Sequence, residues 1–190
     1  MEKEVSNESK LRKVSYWAVC FFVLCLIGWG IETVEEFLRA GIFTNRGFAF
    51  GPYLPIYAFG AIIYYVCLRK LMKKKMFVGK INLTPVVVFL AIIVLTAIFE
   101  YFVSWILEVV FDQRWWCYNY EPWNLNGRIF LKNLWLFGIA GMVYLYAFEP
   151  FFRKALSKVK TLYLNCAAVI MSIILAVDIT FSIIVHWGYR

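Results

Sequence analysis

Residues 45–57 read NRGFAFGPYLPIY and lie between two apolar runs, each long enough to cross a lipid bilayer. Gly47 and Gly51 permit backbone turns that other residues resist, and Pro52 fits the first turn of a following helix. The stretch therefore predicts a tight polar turn at one face of a membrane, with a helix on either side. A second polar stretch, residues 112–128, is expected at the same face.

The composition requires lipid as the solvent. Of the 190 residues, 63% are hydrophobic, whereas a soluble domain averages about 45–50%. The sequence predicts an all-α, polytopic integral membrane helix bundle with about five transmembrane helices. A polar cytoplasmic tail (1–13) precedes a single transmembrane domain (14–190). The spans are expected near 14–38, 52–71, 84–110, 129–148 and 161–186, with Glu149-Pro150 closing the fourth.

The basic residues are unevenly distributed between the two sides of this topology. Fourteen of the 20 Lys and Arg residues fall on one side: Lys3, Lys10, Arg12, Lys13, Arg69, Lys70, Lys73, Lys74, Lys75, Lys80, Arg153, Lys154, Lys158 and Lys160. The positive-inside rule places that side, and the N-terminus, in the cytoplasm, and the C-terminus outside. These basic inner loops are expected to meet anionic lipids. No folded basic surface is visible, so no nucleic-acid partner is expected.

The sequence contains no residues at the spacing of a metal site or of a catalytic pair. The five cysteines form no Cys-x-x-Cys or Cys/His pattern, which predicts no metal site and no cofactor. The only histidine, His186, has no partner residue at a catalytic spacing. The identity of any catalytic residue therefore stays unknown.

The third span carries acidic residues within the apolar run. Glu100, Ser104 and Glu108 recur at every fourth position and share one side of a helix. Glu100 lies about 22 Å beyond Pro85, inside the hydrocarbon region. An ionisable group there costs about 2.5–3.5 kcal/mol, so it should face protein or water. One interpretation is that Glu100 has a functional role, and the other is that it forms a structural ion pair between helices.

The first span ends in a similar way. Trp29, Glu32 and Glu36 share one helix face. Arg46 follows in a short loop and is expected either to pair with one of these carboxylates or to be a solvated residue of a tight turn. Acidic residues from three helices and Arg residues from two loops suggest the hypothesis of one buried network. Its members would be Glu32, Glu36, Glu100, Glu108, Asp178, Arg46, Arg114 and Arg128.

Several motifs carry a resemblance to a known family. They are Trp29-x-x-Glu32, Asn45-Arg46-Gly47-Phe48, Gly51-Pro52 with Pro55-Ile56-Tyr57, Glu100-Tyr101, Arg114-Trp115-Trp116 with Tyr118, and Asn126-Gly127-Arg128-Ile129. Over residues 25–150 the chain resembles the CmpB-type ABC-transporter permeases, small bacterial inner-membrane proteins also called ABC-transporter type IV. It departs from the family pattern at Ala58, where a Gly is usual, and at Cys117, where an Asp is usual. The resemblance implies transport, and the candidate binding or functional residues are Glu32, Glu36, Asn45, Arg46, Glu100, Glu108, Arg114, Trp115, Asn126 and Arg128.

Three functions are compatible with these features. The first is a permease subunit of an ABC-type transporter. The chain has no Gly-x-x-x-x-Gly-Lys-Ser/Thr motif, so ATP would be hydrolysed by a separate ATPase subunit. That subunit would dock on Arg69–Leu83, and the small number of spans favours a homo-oligomer.

The second is a membrane-embedded enzyme or binding protein for an anionic, lipid-like substrate. Glu100 or Glu108 would serve as acid or base, and Arg residues would hold a phosphate or carboxylate. The third is a structural role, in which the charged residues only fix the helices. The absence of a nucleophile or ATPase motif makes an enzyme the weaker interpretation.

The topology can be tested with a reporter enzyme that is active only outside the cytoplasm. Fused after Arg190 or inserted after Asn119, it is expected to be active, because both positions lie on the outer side. Inserted after Lys75, it is expected to be inactive. The opposite activity pattern would contradict the assigned orientation.

Overall fold

The computed structural model describes the backbone of residues 2–188 and the side chains of residues 10–185. The helices are α1 (Glu2–Ala40), α2 (Pro55–Met72), α3 (Thr84–Phe111), α4 (Leu131–Val143), α5 (Glu149–Ser157) and α6 (Thr161–Gly188). Two of the connections contain a short antiparallel hairpin. Strands β1 (Phe77–Val78) and β2 (Ile81–Asn82) lie between α2 and α3, and strands β3 (Asn124–Leu125) and β4 (Ile129–Phe130) lie between α3 and α4.

The all-α class and the number of spans are confirmed. Within the described part of the chain, five helical segments are long and apolar enough to cross a membrane: Lys10–Ala40, Pro55–Met72, Thr84–Phe111, Leu131–Ser157 and Thr161–Val185. The chain is thus a multi-pass membrane protein. Helix α1 begins inside the polar tail expected at 1–13. The side chain of His186 lies outside the described residues.

The fourth span does not end at Glu149-Pro150 as the sequence suggested. A π-helical turn, Tyr144–Phe148, joins α4 to α5, and the Glu149 N–H donates to the Tyr144 carbonyl. In an α-helix the ring of a proline collides with the carbonyl four residues earlier. The wider π turn relieves this collision, so the helix continues past Pro150 to Ser157.

The chain divides into two compact units. Unit 1 comprises the residues up to Phe59 together with those from Phe151 onward, and unit 2 comprises Gly60–Pro150. In unit 1, α1 packs along α6. The core of this packing is formed by Val19, Leu164 and Ala168.

Polar contacts in unit 1 fix α1 beside the beginning of α6. Arg12 donates from its guanidinium to Thr161 Oγ1 at 2.6 Å and to the Val159 carbonyl at 2.9 Å. One turn further, Ser15 donates to Asn165 Oδ1 at 2.7 Å. The two helices therefore run in the same direction.

In unit 2, glycines allow α4 to approach α3 closely. A Cβ at Gly138 would lie 2.7 Å from Phe89 Cε2, and a Cβ at Gly141 would lie 2.7 Å from Ile92 Cγ2. Small residues at a helix interface are the usual device for close packing in lipid, where no hydrophobic effect drives helices together. The α3 face in this unit is buried at every fourth residue: Thr84, Val88, Ile92, Thr96, Glu100 and Ser104.

Replacing Gly141 with Ala is expected to weaken the α3–α4 packing. The new methyl group would meet Ile92 and Tyr64, and overpacking of this kind costs about 1–3 kcal/mol. The measurement is thermal unfolding of the purified protein in detergent. Gly60→Ala is the matched control, because a Cβ there meets nothing within 4 Å. Equal stability of the two variants would contradict the tight interface.

Candidate functional site

One side of α3 carries four polar residues in succession. Thr96, Glu100, Ser104 and Glu108 are spaced four residues apart and extend over about 18 Å. The first three are buried, with exposed fractions of 5%, 6% and 4%, whereas the Glu108 side chain is 31% exposed. This α3 polar stripe thus leads from a partly exposed end into the apolar span.

The β3–β4 hairpin positions a basic residue against this stripe. Arg128 N–H donates to the Leu125 carbonyl at 3.0 Å, and Asn126 and Gly127 between them have φ values of +54° and +66°. This is a type I′ turn, for which Asn-Gly is a preferred sequence. A side chain at Gly127 would also collide with Asn119. The family-like motif Asn126-Gly127-Arg128 is therefore a turn that directs Arg128.

Arg128 is the most buried basic residue of this cluster, with 7% exposed. Its Nη1 donates to Ser104 Oγ at 3.1 Å, and its Nη2 donates to the Glu108 carboxylate. The guanidinium carbon lies 5.5 Å from the centre of the Tyr101 ring, a cation–π distance. Trp116 Nε1 donates to the Arg128 carbonyl at 3.0 Å. Both the side chain and the backbone of Arg128 are thus fixed.

Glu108 is shared between two guanidinium groups. Arg114 Nε donates to Glu108 Oε1 at 2.9 Å, and Arg114 Nη1 donates to the Asn126 carbonyl at 3.3 Å. The hydrogen bond to Glu108 raises the pKa of Arg114 above its ordinary value. Asn126 in turn donates to the Tyr101 hydroxyl at 2.9 Å. At the exposed end of the stripe, one carboxylate therefore lies between two cations.

The inner part of the stripe has neutral partners that the sequence did not identify. Asn133 Nδ2 donates to Glu100 Oε1 at 3.3 Å, and Tyr64 and Thr96 share a hydrogen bond of 2.5 Å between their hydroxyl groups. Thr96 was detectable, since it precedes Glu100 at the same four-residue spacing. Asn133, in the first turn of α4, and Tyr64, on α2, are brought to α3 only by the packing of unit 2.

A second cluster lies in unit 1 around Glu32. Tyr57 donates its hydroxyl to Glu32 Oε1 at 3.2 Å, and Arg46 Nε is 3.8 Å from Glu32 Oε2. The Arg46 and Glu32 side chains are 37% and 30% exposed. The structure thus places Arg46 beside Glu32, as the pairing hypothesis expects. Tyr57 is a partner that the sequence did not single out.

The loop between α1 and α2 folds back onto α1. Asn45 Nδ2 donates to the Phe50 carbonyl at 2.8 Å, and the Leu54 N–H donates to the Cys25 carbonyl at 3.0 Å. Gly47 has a φ of +102°, and a side chain there would collide with Leu54. The polar turn therefore packs against the body of the helix.

One side chain from α1 and one from α6 complete the contacts of this loop. Trp29 Nε1 donates to Asn45 Oδ1 at 2.6 Å. On α6, Asp178 Oδ2 accepts the Gly51 N–H at 3.1 Å. Burial raises the pKa of Tyr53, two residues later, and nearby Asp178 raises it further. Both helices thus hold the loop by its polar groups.

The other two candidate residues make contacts close to them in sequence. Glu36 pairs with Arg39, one turn along α1, at 2.6 Å. The Trp115 ring packs edge-on against Phe111 with centroids 5.3 Å apart.

Eight of the ten candidate residues, all except Glu36 and Trp115, therefore fall into two clusters, one in each unit. The unit 1 cluster is Trp29, Glu32, Asn45, Arg46, Tyr57 and Asp178; the unit 2 cluster is Glu100, Tyr101, Ser104, Glu108, Arg114, Asn126, Arg128 and Asn133. A single network that includes both stays a prediction. Among the residues whose side chains are described, no group of three or more His, Cys, Asp or Glu residues could hold a metal ion.

A double-mutant cycle tests the contact between Glu108 and Arg128. Glu108→Gln removes the negative charge of this contact and Arg128→Met removes the guanidinium group, so each is expected to lower the melting temperature by several degrees. The double variant should be more stable than the sum of the single losses implies. The control cycle, Glu36→Gln with Arg39→Met, changes an i,i+3 pair within one helix whose Arg39 side chain is 63% exposed, and it should show little coupling. Equal coupling in both cycles would contradict the buried contact.

Comparison with known proteins places the chain in a family. The sequence profile of the family described as "Putative ABC-transporter type IV" (ABC_trans_CmpB) matches residues 19–183. No match was found among the curated proteins or among the solved structures. The matched region contains all ten candidate residues and both clusters. Since the profile covers most of the sequence, the chain belongs to the CmpB family of ABC-transporter type IV components.

Proposed function

We propose that this chain is the permease subunit of an ABC-type transporter in a bacterial cytoplasmic membrane, with its N-terminus inside. Family membership supports a role in an ABC system. The observation that carries the permease assignment is the α3 polar stripe. It is a continuous row of hydrogen-bonding groups within a span that is otherwise apolar.

The energetics of the stripe favour a role beyond packing. A carboxyl group in a membrane span is costly and marks a substrate pathway more often than a lipid contact. Glu100 is 6% exposed, and its amide partner Asn133 is neutral. Thr96 would suffice to join α3 to Tyr64 through hydroxyl groups. A carboxyl group at Glu100 is more than helix association requires.

The two ends of the stripe differ in a way that suits a pathway. At the inner end, Thr96 and Tyr64 are buried and neutral. At the other end, Glu108 and Arg114 each expose about a third of their side chains. A polar solute that displaced Arg114 from Glu108 would exchange one set of charged contacts for another. The partly exposed ion pair is therefore the proposed entry point of the pathway.

A transporter of this kind needs further subunits. No phosphate-binding Gly-x-x-x-x-Gly-Lys-Ser/Thr motif occurs in the sequence, so the energy would come from a separate ATPase. Five spans provide few helices to enclose a pathway, which favours self-association. The surrounding lipid bilayer, with anionic lipids at the basic loops, is the remaining partner.

One observation favours a second candidate function. Two guanidinium groups, Arg114 and Arg128, converge on the single carboxylate of Glu108. Arg suits the recognition of phosphate and carboxylate groups. A membrane-embedded enzyme or binding protein for an anionic, lipid-like substrate would use the same residues. Its substrate would replace Glu108 as the partner of Arg114.

The permease proposal predicts a stable partner. Tagged protein isolated from its native membrane in mild detergent is expected to carry an ATPase subunit in stoichiometric amount, identified by mass spectrometry. The Gly141→Ala variant, prepared in parallel, shows whether co-isolation of the ATPase depends only on the stability of this chain. Recovery of well-folded protein without an ATPase would contradict an ABC system. An anionic lipid retained by the wild type and lost from Arg114→Gln would favour the second candidate.

A further inference from the structure

The β1–β2 hairpin between α2 and α3 exposes apolar side chains outside the spans. Phe77, Val78 and Ile81 are 58%, 66% and 67% exposed. Apolar exposure on α3 or α6 is expected, because those helices face hydrocarbon. The hairpin lies beyond the ends of its two helices, so its exposed apolar groups need a separate explanation.

The hairpin places two of its apolar side chains, Val78 and Ile81, on the same side. Val78 and Ile81 are directly opposite each other in the antiparallel pair, and opposite residues point to the same face of a hairpin. Gly79, with a φ of +63°, occupies the first position of the two-residue turn. This is the arrangement of a type II′ turn, whose twist matches that of the strands.

The base of the hairpin is tied to the first turn of α3. Thr84, which is 3% exposed, donates its hydroxyl to the Lys74 carbonyl at 2.7 Å and accepts the Met76 N–H at 3.0 Å. The Thr84 N–H donates to Asn82 Oδ1 at 3.1 Å, and the Leu83 N–H donates to the Met76 carbonyl at 2.8 Å. The hairpin is therefore held in a defined position at the end of a membrane span.

The charge around the hairpin has one sign. The segment 69–83 contains six basic residues and no acidic residue. The nearest in sequence to Val78 and Ile81 are Lys73, Lys74, Lys75 and Lys80, all exposed. Such a surface complements anionic head groups, and long Lys side chains can reach them while apolar neighbours lie deeper.

Chain length confines the hairpin to the membrane surface. Four residues lie between the end of α2 at Met72 and the start of β1 at Phe77, and this connection spans at most about 18 Å. On the other side, Leu83 alone separates β2 from α3. Both connections end at helices that cross the bilayer. The hairpin cannot leave the interface between lipid and water.

We propose that the β1–β2 hairpin is a membrane-surface anchor for anionic lipid. Val78 and Ile81 insert between the lipids, Phe77 lies at the interface, and Lys73, Lys74, Lys75 and Lys80 contact the head groups. Apolar insertion combined with electrostatic attraction is the general basis of interfacial binding. The anchor sets the depth of α2 and α3 in one leaflet. This inference does not depend on the transport function.

The test places an environment-sensitive fluorescent amino acid at Ile81 in the full-length protein. The protein is reconstituted in phosphatidylcholine vesicles with and without phosphatidylglycerol, all with nitroxide-labelled lipids. The anchor predicts quenching by lipid that is stronger in the anionic vesicles. It also predicts protection from iodide, a quencher in water. The same fluorophore at Lys80, in the turn of the hairpin, should be more accessible to iodide.

Two variants and a second measurement separate the contribution of the lysine charges from that of the apolar side chains. Replacing Lys73, Lys74 and Lys75 with Gln should reduce the difference between the two kinds of vesicle, because three of the four lysines are lost. Val78→Ser should reduce lipid quenching in both kinds. Iodide quenching without lipid quenching in both vesicles would overturn the proposal. So would a photo-crosslinker at Ile81 that joins mainly to another protein, such as an ATPase, in native membranes.

Discussion

The packing of unit 2 depends on one requirement: the polar side chains of α3, a helix otherwise suited to lipid, need hydrogen-bond partners. Thr96, Glu100, Ser104 and Glu108 all lie on one side of α3, and a buried polar group without a partner is costly in an apolar medium. Each has a partner from another element or from the same helix, and Arg128 serves two of them. The Asn-Gly turn, the Trp116 contact and the glycines of α4 all bring those partners within reach.

Family membership and geometry support different parts of the functional account. Membership assigns the chain to ABC-transporter components without saying which residues act. The geometry identifies two clusters with different character. In unit 1, Glu32, Arg46 and Tyr57 fix a loop against α1, a role that explains them without a substrate. In unit 2, the stripe extends into the span, which is why the proposed pathway is placed there.

The sequence predicted what depends on local periodicity. The spans follow from runs of apolar residues, and the shared side of Glu100, Ser104 and Glu108 follows from the helical repeat. Pairing of Arg46 with Glu32 or Glu36 was one of two expectations for that residue, because a short loop limits its reach. The predicted end of the fourth span was wrong, because the π turn before Pro150 has no recognisable sequence pattern. Tyr64 and Asn133 were missed, and Tyr57 was not recognised as a partner of Glu32, since tertiary packing alone brings these residues to the polar groups they contact.

The central claim is that the α3 polar stripe takes part in transport and is not only a contact between helices. The most direct measurement is the ATPase activity of the purified complex with Glu100→Gln, which keeps the size of the side chain and can still accept the Asn133 hydrogen bond. The account predicts an assembled complex with an unchanged melting temperature and a clear loss of ATP turnover. Unchanged turnover in the intact complex would contradict it and leave Glu100 a structural residue.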